Sequence, residues 1–237
     1  MMGEESSYDE DITIFSPQGR LYQVEYARET VRKGATTIGI KFDTGVLFIA
    51  IKNKFSKTVE SLSIEKIYQI DNCIACTYCG LSADARKLID YLLEEIQINK
   101  LWYDEEITIK NLVENLCAYI NLFSRYQSVR PFGVVMFISG IDCKGPSLFL
   151  TDPSGSFIQY NAVCEGMKNE IVTKYLEKNY KKHIDLEKAI ILGLNAINKT
   201  TSKKIKPENL EIGIIEKDRS FKKLGKDGIK KYLKNFV

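Results

Sequence analysis

The stretch ITIFSPQGRLYQVEYARETVRKGATTIGI, residues 12–40, passes from a turn through a helix into a strand and sets the pattern of the whole chain. Ser16-Pro17-Gln18-Gly19 has turn chemistry, because proline presets φ and glycine releases the chain. From Arg20 to Lys33 the apolar period is helical: Leu21, Val24, Ala27 and Val31 share one side, and Tyr22 and Tyr26 lie on another. Gly34 stands where a glycine stop ends a helix. The strand-like runs ATTIGIKF and VLFIAIKN then flank Asp43-Thr44-Gly45, which reads as a hairpin.

Further along, KIYQIDNCIACTYCG makes two more β-type runs joined at Asp71-Asn72. Two long helices follow. Ser82 to about Lys100 carries Leu88, Ile89, Leu92, Leu93 and Ile96 on one stripe, and about Thr108 to Gln127 carries Leu112, Leu116, Tyr119, Ile120 and Phe123. The β signal returns in VVMFISGI, SLFLT, a turn at Asp152-Pro153-Ser154-Gly155 and SFIQYNAV. Helices over about 168–180 and 186–199, the second N-capped by Asp185, precede a strand LEIGII and a basic helix near 225–235. The order is strands, helix pair, strands, helix pair, strand. It lacks the βαβ alternation of a doubly wound parallel sheet and predicts an α+β chain: two antiparallel sheets face to face, each covered outside by a helix pair. With no linker-like composition shift, residues 12–237 read as one domain behind an acidic tail, residues 1–11.

Composition excludes several classes. With 237 residues, 44% hydrophobic and 27% charged, the chain has the makeup of an ordinary globular protein. A net charge of +3 is too mild to imply a polyanion partner. No apolar run reaches the ~18 residues of a membrane span, and the acidic N-terminus lacks the apolar core of a secretory signal. The expected location is the cytoplasm, without a membrane or nucleic-acid partner. The six cysteines then read as reduced thiols. Cys73, Cys76 and Cys79 have cluster-like spacing, but strand alternation points Cys73 and Cys79 one way and Cys76 the other, so no metal and no cofactor is expected. His183, the single histidine, lies in the Lys-rich link EKNYKKHIDLEKA and reads as solvated. The lysines between Lys222 and Lys234 read as the wet face of a helix whose apolar side is Ile229, Tyr232, Leu233 and Phe236.

The block YDEDITIFSPQGRLYQVEYARETVRKGATTIGI, followed in order by IEKIYQI, CGLSADARKLID, VRPFGV and TDPSGSFIQYNAVCEG, resembles the proteasome alpha subunit, most of all the archaeal type that builds a ring of seven identical copies. The resemblance implies the N-terminal-nucleophile hydrolase fold, a four-layer αββα sandwich. It also implies partnership with other alpha subunits, beta subunits, the C-termini of an activator ATPase and unfolded protein substrates. Beta subunits of the family use a threonine that follows a glycine as nucleophile, activated by the free amine and a lysine. Here Ala35 follows Gly34, Ile51 occupies the acidic position near the end of the next strand, and only Lys66 matches the lysine. The resemblance therefore implies a non-catalytic subunit of a threonine endopeptidase complex.

By the same resemblance Tyr8 and Asp9 belong to the gating tail, Pro17 to the turn that shifts on opening and Tyr26 to the cluster that holds the open form. Gly34, Lys66, Gly80 and Leu81 match the pocket where an ATPase tail ending hydrophobic–Tyr–any inserts, the lysine ammonium pairing with the terminal carboxylate. Alternatives stand beside these roles: a plain turn proline at Pro17, a tyrosine packed in a subunit interface at Tyr26, a helix stop at Gly34 and an exposed strand-end lysine at Lys66. One departure is Tyr8-Asp9-Glu10, where the archaeal pattern is Tyr-Asp-Arg. Two other functions remain open. A threonine-type hydrolase using Thr36 or Thr37 predicts self-cleavage before them, and a nucleic-acid-binding C-terminal helix predicts strongly salt-dependent binding.

Overall fold

A computed structural model describes residues 13–52, 58–60, 63–126, 129–200, 205–218 and 220–234. The first sheet has the order β10-β9-β2-β1-β8, with β1 Thr37–Phe42, β2 Gly45–Ile51, β8 Ala162–Glu165, β9 Leu210–Glu216 and β10 Phe221–Lys223. The second runs β3-β4-β5-β6-β7, with β3 Ile67–Asp71, β4 Ile74–Gly80, β5 Val134–Asp142, β6 Gly145–Thr151 and β7 Phe157–Gln159. Every pairing in both is antiparallel.

Alternation along each strand divides the apolar side chains into three layers. Val46, Phe48 and Ala50 of β2 meet Ala75, Val135, Phe137 and Leu148 between the sheets. Ile38, Ile40, Leu47 and Ile49 face outward onto the helices α4 Asn169–Asn179 and α5 Leu186–Asn198. Ile74, Cys76, Met136 and Ile138 face the other way onto α2 Ser82–Tyr103 and α3 Ile109–Leu122. Strands covered on both faces read as continuous apolar runs, which is why VLFIAI and VVMFI lack a polar face. Asp185 caps α5 by accepting a hydrogen bond from the Lys188 amide at 2.8 Å.

Several sequence expectations shift. SFIQYNAV is two strands: β7 closes one sheet, the chain crosses at Tyr160-Asn161, and β8 edges the other. Asn161 carbonyl accepts from Lys41 N at 2.7 Å on one side of that crossing, and Leu148 carbonyl accepts from Tyr160 N at 2.9 Å on the other. β10 places Lys222 and Lys223 on an edge strand rather than on the wet face of the C-terminal helix. Leu93 is 38% exposed, at the margin of the α2 stripe. Cys73 precedes β4 in the turn, where alternation has not begun, so it sits with Cys76 under α2 and α3 while Cys79 faces between the sheets. The last helix, α6 Lys226–Lys234, buries Ile229 and packs Tyr232 and Leu233 beside α5; Phe236 lies outside the described residues. No helix among the described residues is long and apolar enough to cross a membrane.

The N-terminal helix, α1 Tyr22–Arg32, buries Val24, Ala27 and Val31 and places Val31 in the layer between the sheets. Its anchor is ionic: Arg28 donates from Nε and Nη2 to the two Asp152 carboxylate oxygens at 2.9 and 3.0 Å. Asp152 also accepts from the Ser154 amide at 2.9 Å, which gives the turn in TDPSG its purpose. Burial alone would raise the Asp152 carboxyl, but Arg28 and Ser154 outweigh it and hold the carboxyl below its usual range.

Candidate functional site

Where β1 and β3 begin and β2 and β4 end, the C-terminus of α1 and the N-terminus of α2 enclose a cleft of about 570 Å³. Lys33, Gly34, Ala35, Ile51, Lys66 and Gly80 line it, with Tyr78 and Arg86. Three of the four sequence-predicted docking residues therefore meet in one cavity. Leu81 does not join them: its amide donates to the Gly133 carbonyl at 3.0 Å, and its half-exposed side chain leans over Gly133.

Lys66 is the chemical centre. It is 6% exposed, which overturns the reading of a solvated strand-end lysine. Its Nζ rests 3.8 Å from the centroid of the Tyr78 ring, a cation–π contact. Its backbone is pinned separately: the Lys66 amide donates to Glu211 Oε2 at 3.0 Å, and its carbonyl accepts from Thr77 Oγ1 at 2.9 Å. Lys223 Nζ holds the same Glu211 at 2.9 Å. Among the described residues no carboxylate lies within ion-pairing distance of Lys66 Nζ. Burial pulls its pKa down to about 8, with Cys79 and Glu211 opposing the fall. Burial likewise pushes the Tyr78 phenol up to about 12.

The glycines are explained by close approach. A Cβ on Gly34 would stand 2.7 Å from both Cys79 Sγ and the Gly80 nitrogen. Gly34 is not in the left-handed region, so its requirement is space beneath the helix end rather than the stop conformation. Gly80 has φ +121° and abuts the Gly133 carbonyl.

The alternative nucleophiles are engaged elsewhere. Thr36 Oγ1 donates to the Met167 carbonyl at 2.9 Å, and Thr37 Oγ1 donates to the Tyr78 carbonyl at 3.1 Å. Both are buried and neither lines the cleft, where Ala35 presents a methyl and Ile51 an apolar side chain. His183 is exposed, 3.3 Å from Asp43. Of the gate residues, Pro17 sits in a turn closed by the Gly19 amide donating to the Ser16 carbonyl at 2.8 Å. Tyr26 is on the exposed face of α1 and stacks on Tyr22 at 6.4 Å. Tyr8, Asp9 and Glu10 lie outside the described residues.

Sequence reasoning missed Tyr78, Arg86 and Glu211. It also missed what joins CGLSADARKLID to VRPFGV. Buried Asp84 accepts from Arg130 Nη1 and Nη2 at 2.7 and 2.8 Å, and from the Gly133 amide at 2.8 Å. Burial alone would raise its pKa, but Arg130 and the Gly133 amide outweigh this and hold it below the usual carboxylate range. Asp84→Ala is expected to cost about 2 kcal/mol, as charge-assisted hydrogen bonds do, read as a fall in the urea midpoint. The parent's share of stability from this carboxylate is complete above about pH 4 and is lost as pH falls through its lower folded value.

Residues 31–215 match the family model described as proteasome subunit, which covers most of the chain. The chain belongs to the proteasome family. A second model, the N-terminal signature of the A-type proteasome subunit, matches residues 8–29, the segment that holds the turn and most of α1. This proteasome chain is 46% identical over 227 residues to a proteasome subunit alpha of Archaeoglobus fulgidus, covering 95% of this chain and 92% of the relative. It is 46% identical over 229 residues to that of Methanocaldococcus jannaschii, covering 96% and 87%, and 39% identical over 237 residues to that of Methanosarcina acetivorans, covering 100% and 96%. The signature and these relatives identify the proteasome alpha type, and the sandwich of two antiparallel sheets between helices is the family architecture.

Proposed function

We propose that this chain is a non-catalytic subunit of the outer ring of the proteasome core particle, assembled as seven identical copies on beta subunits in the cytoplasm. It gates the entry of unfolded protein substrates to the proteolytic chamber and docks the C-terminal tails of an activating ATPase. The observation that carries this reading is the cleft itself: Gly34 and Gly80 line it beside the buried Lys66 ammonium, which has no carboxylate within ion-pairing distance among the described residues, while Ala35 supplies no hydroxyl. Such a cavity suits a chain-terminal carboxylate, with backbone approach at the glycines. Exposed apolar side chains, among them Phe15, Tyr26, Leu81 and Met167, give neighbouring copies a surface to cover.

The test is a core particle assembled from this chain and its beta partner. A peptide ending hydrophobic–Tyr–any is expected to accelerate hydrolysis of a fluorogenic substrate several-fold, and the same peptide amidated at its C-terminus is expected not to. Equal stimulation by both peptides would overturn the docking role.

The acidic tail adds a second expectation. Glu4, Glu5, Asp9, Glu10 and Asp11 repeated around one pore repel one another, with screening over ~10 Å at moderate salt. Glu10→Arg is therefore expected to lower unstimulated peptide entry at low salt, measured as basal hydrolysis. Unchanged entry there would mean that the tail charge does not set the gate.

A further inference from the structure

Docking uses Lys66 as a cation, yet its surroundings are those of a nucleophilic amine. Nζ meets a ring face instead of a carboxylate, and Glu211 is taken by the Lys66 backbone amide and by Lys223. Glu65, the one acidic side chain at the cleft wall among the described residues, is also paired with Lys223. Two further cations, Lys33 and Arg86, open into the same cavity. So do Ser82 and Ala83, the first residues of the 22-residue helix α2, whose N-terminal amides and dipole favour an anion. A cationic wall and an amine thus share one cleft.

We propose that Lys66 is a modification site for acyl phosphates. The phosphate group binds toward Lys33, Arg86 and the start of α2, and the neutral Lys66 amine attacks the acyl carbonyl carbon. A C–N bond forms and the carbon–oxygen bond to phosphate breaks. The electron pair leaves with inorganic phosphate, and the amine proton passes to solvent. With its pKa near 8, Lys66 holds the neutral form at pH 7 roughly a few hundred-fold more often than an ordinary lysine. The facing groups that titrate or carry charge are Lys33, Glu65, Tyr68, Tyr78, Cys79, Arg86, Glu211 and Lys223. The product amide carries no charge. On the docking role proposed above, acylation would therefore switch the site off.

The test incubates the assembled ring of the full chain with acetyl phosphate and follows each lysine by peptide-mapping mass spectrometry. The expected initial rate at Lys66 is at least tenfold that of the exposed Lys181 and Lys182, and it rises with pH to a plateau above about 8. The Lys33→Ala/Arg86→Ala double variant is expected to lower the Lys66 rate at least fivefold and leave Lys181 unchanged. A Lys66 rate at or below that of Lys181, or one indifferent to the double variant, would overturn the proposal. Acetylated ring is also expected to bind the hydrophobic–Tyr–any peptide at least tenfold more weakly. Acetylation at the expected rate with binding intact would instead overturn the docking role and leave the acylation site standing.

Discussion

Lys66→Met is expected to weaken binding of a peptide ending hydrophobic–Tyr–any by roughly 10- to 100-fold, the range of a lost charge-assisted hydrogen bond. The same variant is expected to melt no lower than the parent. Methionine keeps the buried stem and removes a cation that the fold holds at a disadvantage. The folded value of about 8 lies below that of the unfolded chain, so between about pH 8 and the ordinary lysine value near ~10.4 the unfolded state binds more protons. The burial penalty on Lys66 is therefore in full force below about pH 8 and fades as pH rises through that window. On the docking role proposed above, this cost is one that a stability–function trade-off leaves behind.

Peptide binding to the parent should run the opposite way with pH. It is constant well below 8, where the ammonium is already formed. Above 8 it falls by up to tenfold per unit, because the Lys66 amine must then take up a proton from solvent to pair with the carboxylate. Isothermal titration across pH 7 to 9.5 reads the slope. A flat profile would mean that Lys66 does not meet the terminal carboxylate.

Gly80→Ala is expected to do the greatest damage to the fold, at least about 3 kcal/mol, or ~10 °C in Tm for a chain of this size. The alanine Cβ would lie 2.2 Å from the Gly133 carbonyl oxygen and 2.9 Å from Val134 Cα, and the backbone holds φ +121°. None of these neighbours is a side chain that can swing away. Gly19→Ala is the control: φ is +73°, but nothing lies within 4 Å of the new methyl, so only the left-handed penalty of roughly 1–2 kcal/mol applies. Similar melting temperatures for the two variants would show that the Gly80–Gly133 approach does not constrain the chain. Because Gly80 lines the cleft, a folded Gly80→Ala chain should also lose peptide binding.

The residues that carried the fold in the sequence were those whose signal is local. α1 was legible from Leu21, Val24, Ala27 and Val31, and the helix pairs from their stripes, since amphipathic period and turn chemistry are short-range properties. The cleft was legible only through resemblance: Gly34, Lys66 and Gly80 are far apart in the chain, and nothing in their immediate neighbours announces a common cavity. The burial of Lys66 was hidden because Glu211, which pins its backbone, comes from a strand 145 residues away. Leu81 failed to join the cleft because it follows Gly80 as the chain turns into α2, where Gly133 draws it aside. SFIQYNAV concealed a change of sheet because Tyr160-Asn161 carries neither glycine nor proline, and β10 was masked by its lysines. Cys73 escapes the strand alternation because it stands in the turn before β4 begins at Ile74.

Native mass spectrometry of this chain expressed alone tests the central claim, a self-assembling and uncleaved ring subunit, most directly. The expected result is a complex of about 190 kDa, seven times 27.1 kDa, or twice that for stacked rings. Each protomer ejected from it is predicted to retain α1 and the residues before Thr36. A stable monomer, or protomers cut before Thr36 or Thr37, would contradict the claim.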